Sequence, residues 1–194
     1  MKRILLAVFA ISIGLYPVLY LLFGKNFGIL NLKSDDLWSQ AIYQSGFFTH
    51  IVFGGASLIL GWAQFMPGWR RKYPKVHRNM GKGYVAAALL TSLAGIYLSF
   101  YAEGGVISKV GFFCLGWIFL LTTLRAYQAA RAQDFLAHER WMVFSYAACF
   151  AAVTLRLWMP ILVPLLGDFI PAYRIVAWLC WVPNMVFAWW ITRE

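Results

Sequence analysis

Three histidines and one arginine are the residues of this chain best placed to do chemistry within apolar surroundings. His50 stands in FFTHIVFGG and Arg156 in VTLRLW, each inside a hydrophobic run. An imidazole and a guanidinium at similar depth suit an anionic group: a carboxylate, a propionate or a quinone oxygen. The plainer reading has Arg156 snorkelling to the headgroups while His50 bonds a backbone carbonyl. His77 in VHRNMGKGY and His138 in AHERWM each stand with an arginine, Arg78 and Arg140, at the threshold of an apolar run. Neutral imidazoles ligate haem iron and other metals, so His77 and His138 are candidate metal ligands. Arg78 and Arg140 would then pair with haem propionates. The alternative is structural: Glu139 complements the helix dipole in a first turn, and the two arginines suit lipid phosphate.

The elements that must carry these residues follow from composition. Of 194 residues, 62% are hydrophobic and 12% charged, with mean hydropathy +0.67. A soluble domain carries about twice that charged fraction. Apolar runs of about 20 residues match the ~30 Å core of a bilayer. The chain therefore reads as all-α, a polytopic bundle of six spans: Arg3–Phe23, Ile42–Met66, Lys82–Tyr101, Lys109–Ala130, His138–Met159 and Ala172–Thr192. Ile161–Ile170, bracketed by Pro160 and Pro171, is too short to cross and reads as an outer loop or a re-entrant piece. The first run is longer than the ~7–15 residue core of a signal peptide and lacks an A-x-A cleavage pattern, so it reads as an uncleaved span.

The net charge of +10 is distributed in a way that argues against nucleic acid as a partner. Lys2, Arg3, the basic stretch from Arg70 to Lys82, Arg125, Arg131, Arg140 and Arg193 fall on one side. Lys25, Lys33, Lys109 and Arg174 fall on the other. The positive-inside rule then puts both termini in the cytoplasm, in agreement with an even number of spans. The stretch from Arg70 to Lys82 is expected to rest against anionic lipid headgroups. Span two then runs inward and places His50 about 10 Å deep at 1.5 Å per residue. Span five runs outward and brings Arg156 to a similar level in the same leaflet.

Cys114, Cys149 and Cys180 all lie in expected spans without metal-ligand spacing and read as small buried hydrophobes. The Asp35–Asp36 pair reads as a solvated loop or a helix cap. Carboxylates are nearly missing from the spans, against a proton pump with an acidic relay. No linker divides residues 1–194, so the chain is one domain with its core over 42–159. The pattern R-x-M-x-x-x-Y-x-A occurs at Arg78, Met80, Tyr84 and Ala86, and again at Arg140, Met142, Tyr146 and Ala148. A constant offset spanning two helices fits a parallel repeat of 42–101 and 109–159.

His50 followed by Gly54-Gly55, then HRNMGKGY, HERWM and the later T-L-R ending at Arg156, resembles a bacterial family of uncharacterised predicted multi-pass membrane proteins with H…G, HRxxGxxY and HRxWM motifs. The resemblance covers roughly His50 to Arg156. It picks out His50, His77, Arg78, Gly81, Tyr84, His138, Arg140, Trp141, Met142 and Arg156, and implies a bacterial inner-membrane location. Glu139 separates His138 from Arg140, where the family pattern has His and Arg adjacent. A remoter likeness is to transmembrane cytochromes b, in which H-R-x-x-G also begins a span. Three histidines allow at most one bis-histidine haem, and Tyr84 joins the candidate cofactor-binding residues.

Three classes of function remain open at this level. One is a membrane redox protein that binds one b-type haem or a quinone and works with a partner redox subunit. The second is a transporter or binding protein for a small anionic solute, recognised by His50 and Arg156. The third is a non-catalytic assembly subunit of a membrane complex.

Overall fold

The computed structural model describes residues 2–193, and every regular element among them is helical. The first crossing is broken into α1 (Lys2–Gly14) and α2 (Pro17–Phe23), because Pro17 has no N–H to continue the ladder. Two short 3₁₀ turns and α3 (Asp35–Trp38), capped by the Ser34 hydroxyl on the Leu37 N–H, lead to α4 (Ala41–Gln64). Then come the short basic helix α5 (Pro67–Lys72), α6 (Pro74–Ser99) and α7 (Val106–Arg131). The fifth crossing is α8 (Phe135–Cys149) continued by α9 (Ala151–Leu166), and the sixth is α10 (Phe169–Leu179) continued by α11 (Val182–Ile191). Six segments are long and apolar enough to cross a membrane. Their exposed Leu, Ile, Val, Phe and Trp side chains form the surface that lipid covers.

Two expectations change. Residues 161–170 are neither an outer loop nor re-entrant: α9 runs through Pro160 and Pro164 to Leu166, and the chain turns only at Gly167 and Asp168. Proline inside a span is tolerated where neighbouring helices and hydroxyl side chains satisfy the freed carbonyls. The third helix begins at Pro74, eight residues before the apolar run at Lys82, because proline at its first turn starts a helix whatever the polarity of the next residues. His77 and Arg78 thus sit in a first helical turn, not in a loop.

The bundle has two unlike halves. At the end that carries both termini, α4, α6, α7 and α8 pack around Leu58, Tyr84, Phe119, Met142 and Tyr146. This core is tied by hydroxyls: Tyr84 bonds Ser145 at 2.7 Å, Ser145 bonds Thr123 at 2.7 Å, and Tyr146 donates to the Leu58 carbonyl at 3.2 Å. Buried hydroxyls that find partners are the usual glue between membrane helices. At the opposite end the fifth crossing bends at Phe150, and α9 packs on α10 and α1 instead of continuing against α4. Asn184 holds the bend, donating to Ala147 O at 3.2 Å, Cys180 O at 3.0 Å and the Thr154 hydroxyl at 3.2 Å. The fifth crossing therefore leaves α4 toward the face opposite the termini.

Candidate functional site

His50 and Arg156 occupy the half where the fifth crossing leaves α4. The ring Nδ1 of His50 lies 3.0 Å from the Thr91 carbonyl, and the Thr91 hydroxyl donates to the His50 carbonyl at 2.7 Å. A carbonyl can only accept, so Nδ1 carries the proton and Nε2 keeps its lone pair. Gly95 makes room for the ring, since a Cβ there would come within 3.1 Å of it. His50 is nonetheless an exposed residue, set on the flank of the apolar helix α4.

Arg156 on α9 lies within electrostatic reach of the His50 ring. Its guanidinium donates to Ala152 O at 2.8 Å and lies 4.4 Å from the centre of the Tyr16 ring. Tyr16 reaches this position because the Gly14–Pro17 break lies at the same level, where α1 packs tightly on α4. A Cβ on Gly55 would collide with the Gly14 carbonyl. Among the described residues, Arg156 pairs with no carboxylate. A guanidinium removed from water and left without a counter-ion is costly unless some group neutralises it.

An apolar roof lies next to this pair, toward the face opposite the termini. Tyr20, Leu30, Tyr43, Phe47 and Ile51 form one buried cluster, joined by Phe27 and Trp38 in edge-to-face contacts. Lys33 latches the roof to the next loop, donating to the Tyr101 carbonyl and, at 2.7 Å, to Glu103. Lys33 itself is buried, and Lys25 pairs with Asp35.

At the terminal face the structure gathers the second set. His77 on α6 lies within electrostatic reach of His138 and of Arg70, and Arg70 pairs with Glu139. The Nδ1 of His138 donates to Ala126 O at 2.9 Å, which again leaves Nε2 as the free acceptor. That is the arrangement usual for a metal-ligating histidine. His77 borders a small, partly open space of about 10 Å³ with Gln64 and Met80, and the Gln64 Oε1 has no hydrogen-bond partner among the described residues. A space of that size takes one water. A cofactor pocket measures roughly 300–1,000 Å³, so a haem between these two rings requires the helix entrances to part. Arg78 and Arg140 are exposed, and Tyr84 is buried about two helical turns deeper, bonded to Ser145. Among the described residues no three His, Cys, Asp or Glu side chains gather at one point.

Several residues of the cleft carry no sequence signal of their own. Thr91, Tyr16, Lys33 and Asn184 act through carbonyls and rings that only the folded chain brings near. Pro17 was the one legible sign, since it breaks the first helix where Tyr16 must turn.

The model of the family described as predicted membrane protein (DUF2306) matches residues 47–192, and the chain belongs to that family. The matched stretch contains His50, His77, His138 and Arg156; Tyr16 and most of the roof lie before it. No curated protein and no solved structure matches the chain.

Proposed function

We propose that this member of the predicted-membrane-protein family binds a quinone head group in the cleft between His50 and Arg156, as a membrane redox protein. The observation that carries the reading is a guanidinium with no carboxylate partner, facing an imidazole whose acceptor nitrogen is fixed by the Thr91 carbonyl. Such a pair offers a charged donor to one ring oxygen and a proton acceptor to a quinol hydroxyl. Arg156 would bind quinone and semi-reduced forms through its charge, and His50 Nε2 would take the proton of the reduced form. The roof favours a lipid-soluble ligand over a dissolved anion. Aromatic side chains and the Lys33 latch close the aqueous side, so the ligand would enter between helices from the bilayer.

The excess of cations at the terminal face supports an orientation with both termini in the cytoplasm of a bacterial inner membrane. A partner subunit would supply or remove the electrons. A second reading has support at the terminal face: the free Nε2 of His138 beside His77 suits a metal, including the iron of one b-type haem flanked by Arg78 and Arg140.

Titration of the detergent-purified protein with a short-chain benzoquinone, followed by calorimetry, tests the first reading. Saturable one-to-one binding, weakened about tenfold or more by His50→Ala through loss of one hydrogen bond and its packing, is expected. Absence of binding to the wild-type protein, or tighter binding of a water-soluble carboxylate such as benzoate, would sink it. Oxidised and dithionite-reduced absorption spectra of protein expressed with excess haem test the second. A Soret band lost in His138→Ala supports it, and aromatic absorbance alone removes it.

A further inference from the structure

The two ends of the bundle treat their cations differently. On the loop face opposite the termini, Lys25 pairs with Asp35, Lys33 with Glu103, and Arg174 donates to the Gly104 carbonyl at 2.7 Å. Three of the four cations there are used internally, and Lys109 is exposed without a carboxylate partner among the described residues. On the terminal face the two nearby acids are already occupied. Glu139 takes Arg70, and Asp134 caps α8 by accepting from the Ala137 N–H at 3.0 Å. Arg71, Lys72, Lys75, Arg78, Lys82 and Arg140 are all exposed, and none pairs with a carboxylate of the described residues.

Apolar side chains stand among these charges. Tyr73 is 46% exposed and Val76 44%, while Phe135 and Leu136 at the start of α8 reach 65% and 83%. Lys72 lies over the Tyr73 ring, 5.4 Å from its centre. A soluble acidic partner would match the charges but would leave these four side chains without a use. A bilayer surface uses both, taking apolar tips into the acyl boundary and cations at the phosphate level.

We infer that α5 and the first turns of α6 and α8 form a docking surface for anionic phospholipid headgroups, with Arg71, Lys72, Lys75 and Arg78 as its cationic face. The surface is independent of the ligand in the cleft, so this inference and the quinone reading stand or fall separately. Short α5 lies at the interface and draws a shell of acidic lipid around one end of the bundle.

The test uses the whole protein reconstituted in phosphatidylcholine bilayers with a trace of spin-labelled phosphatidylglycerol or phosphatidylcholine. Electron spin resonance then reads the fraction of label immobilised at the protein. Wild-type protein is expected to hold phosphatidylglycerol about threefold or more over phosphatidylcholine at low salt. The preference should fall toward unity at about 0.5 M salt, where screening shortens to a few ångströms. The variant carrying Arg71→Gln, Lys72→Gln, Lys75→Gln and Arg78→Gln should show no preference, whereas Lys109→Gln on the other face should keep it. Equal retention of both labels by the wild type overturns the inference, and so does a preference that survives in the fourfold variant. The salt titration of the wild type decides the matter even if that variant does not fold.

Discussion

His50 and His138 are held alike and surrounded unlike. Each donates its Nδ1–H to a carbonyl of the neighbouring helix, Thr91 O for His50 and Ala126 O for His138, at 3.0 and 2.9 Å. Each therefore presents a bare Nε2. What differs is the company. His50 stands within electrostatic reach of Arg156, beside an apolar cluster, and among the described residues no carboxylate pairs with that charge. His138 stands at a rim where Arg70 already has Glu139 and the remaining cations look outward. On the proposed reading the same ring geometry would serve a ligand site in one place and a helix tie in the other. The decisive variable is the unneutralised charge opposite the imidazole.

Replacing that charge should break the contrast most completely. Arg156→Leu removes a charge-assisted contact worth about 1.5–3 kcal/mol, so quinone affinity should fall roughly 10- to 100-fold. The fold should not suffer with it. An apolar side chain in place of a buried, unpaired guanidinium leaves stability unchanged or higher. Calorimetric titration and thermal unfolding of the same sample separate the two effects. A lower melting temperature with intact binding would make Arg156 a packing residue and erase the distinction between the histidines.

Gly55→Ala reaches the cleft through its wall. The new methyl group meets the Gly14 carbonyl, which belongs to backbone and must move as a helix. Overpacking of this kind costs about 1–3 kcal/mol. It should also displace Tyr16 from Arg156 and weaken quinone binding, while amide exchange around His138 stays as in the wild type. Exchange that quickens equally at both ends would mean that the two halves unfold as one unit.

These predictions rest on features that the sequence displayed unequally. Hydropathy made the six crossings legible, because a bilayer demands long apolar runs and little else resembles them. It misplaced the start of α6, since Pro74 nucleates the helix in polar sequence, and it lost α9 beyond Met159, since Pro160 and Pro171 read as the brackets of a loop. The shared depth of His50 and Arg156 could be counted from helix rise. What lay beyond counting was the Phe150 bend that turns α9 away from α4, held by Asn184 from the sixth crossing. The roof was equally hidden: Lys33 read as a loop cation, and only the fold brings Tyr101 and Glu103 to it.

Lys33→Met tests whether the roof excludes water or admits the ligand. The latch combines an ion pair with a bond to a carbonyl, and losing it should cost about 1–3 kcal/mol locally. Hydrogen exchange across residues 24–40 should rise as the roof loosens. Quinone association should change less than about threefold if entry is from the bilayer, since the route between helices is untouched. An association rate at least tenfold faster would show that the aqueous face is the gate, and a dissolved anion would then become the better ligand.

The smallest effects are expected at the other histidines, where they are the most discriminating. His138→Ala removes one bond to Ala126 O and should cost about 0.5–1.5 kcal/mol. His77, without a hydrogen bond to lose among the described residues, should cost less when replaced by alanine. The two rings are then unequal contributors to stability, as helix ties ought to be. A metal or haem shared between them imposes the opposite pattern, because each ligand is needed to hold the group and either substitution loses the whole contribution. Thermal unfolding of both variants, from protein expressed with and without added haem, reads the difference. Unequal small shifts that ignore haem keep the cleft as the one ligand site. Equal large shifts that appear only with haem would give the terminal face a cofactor of its own and make the two imidazoles alike in function as well as in geometry.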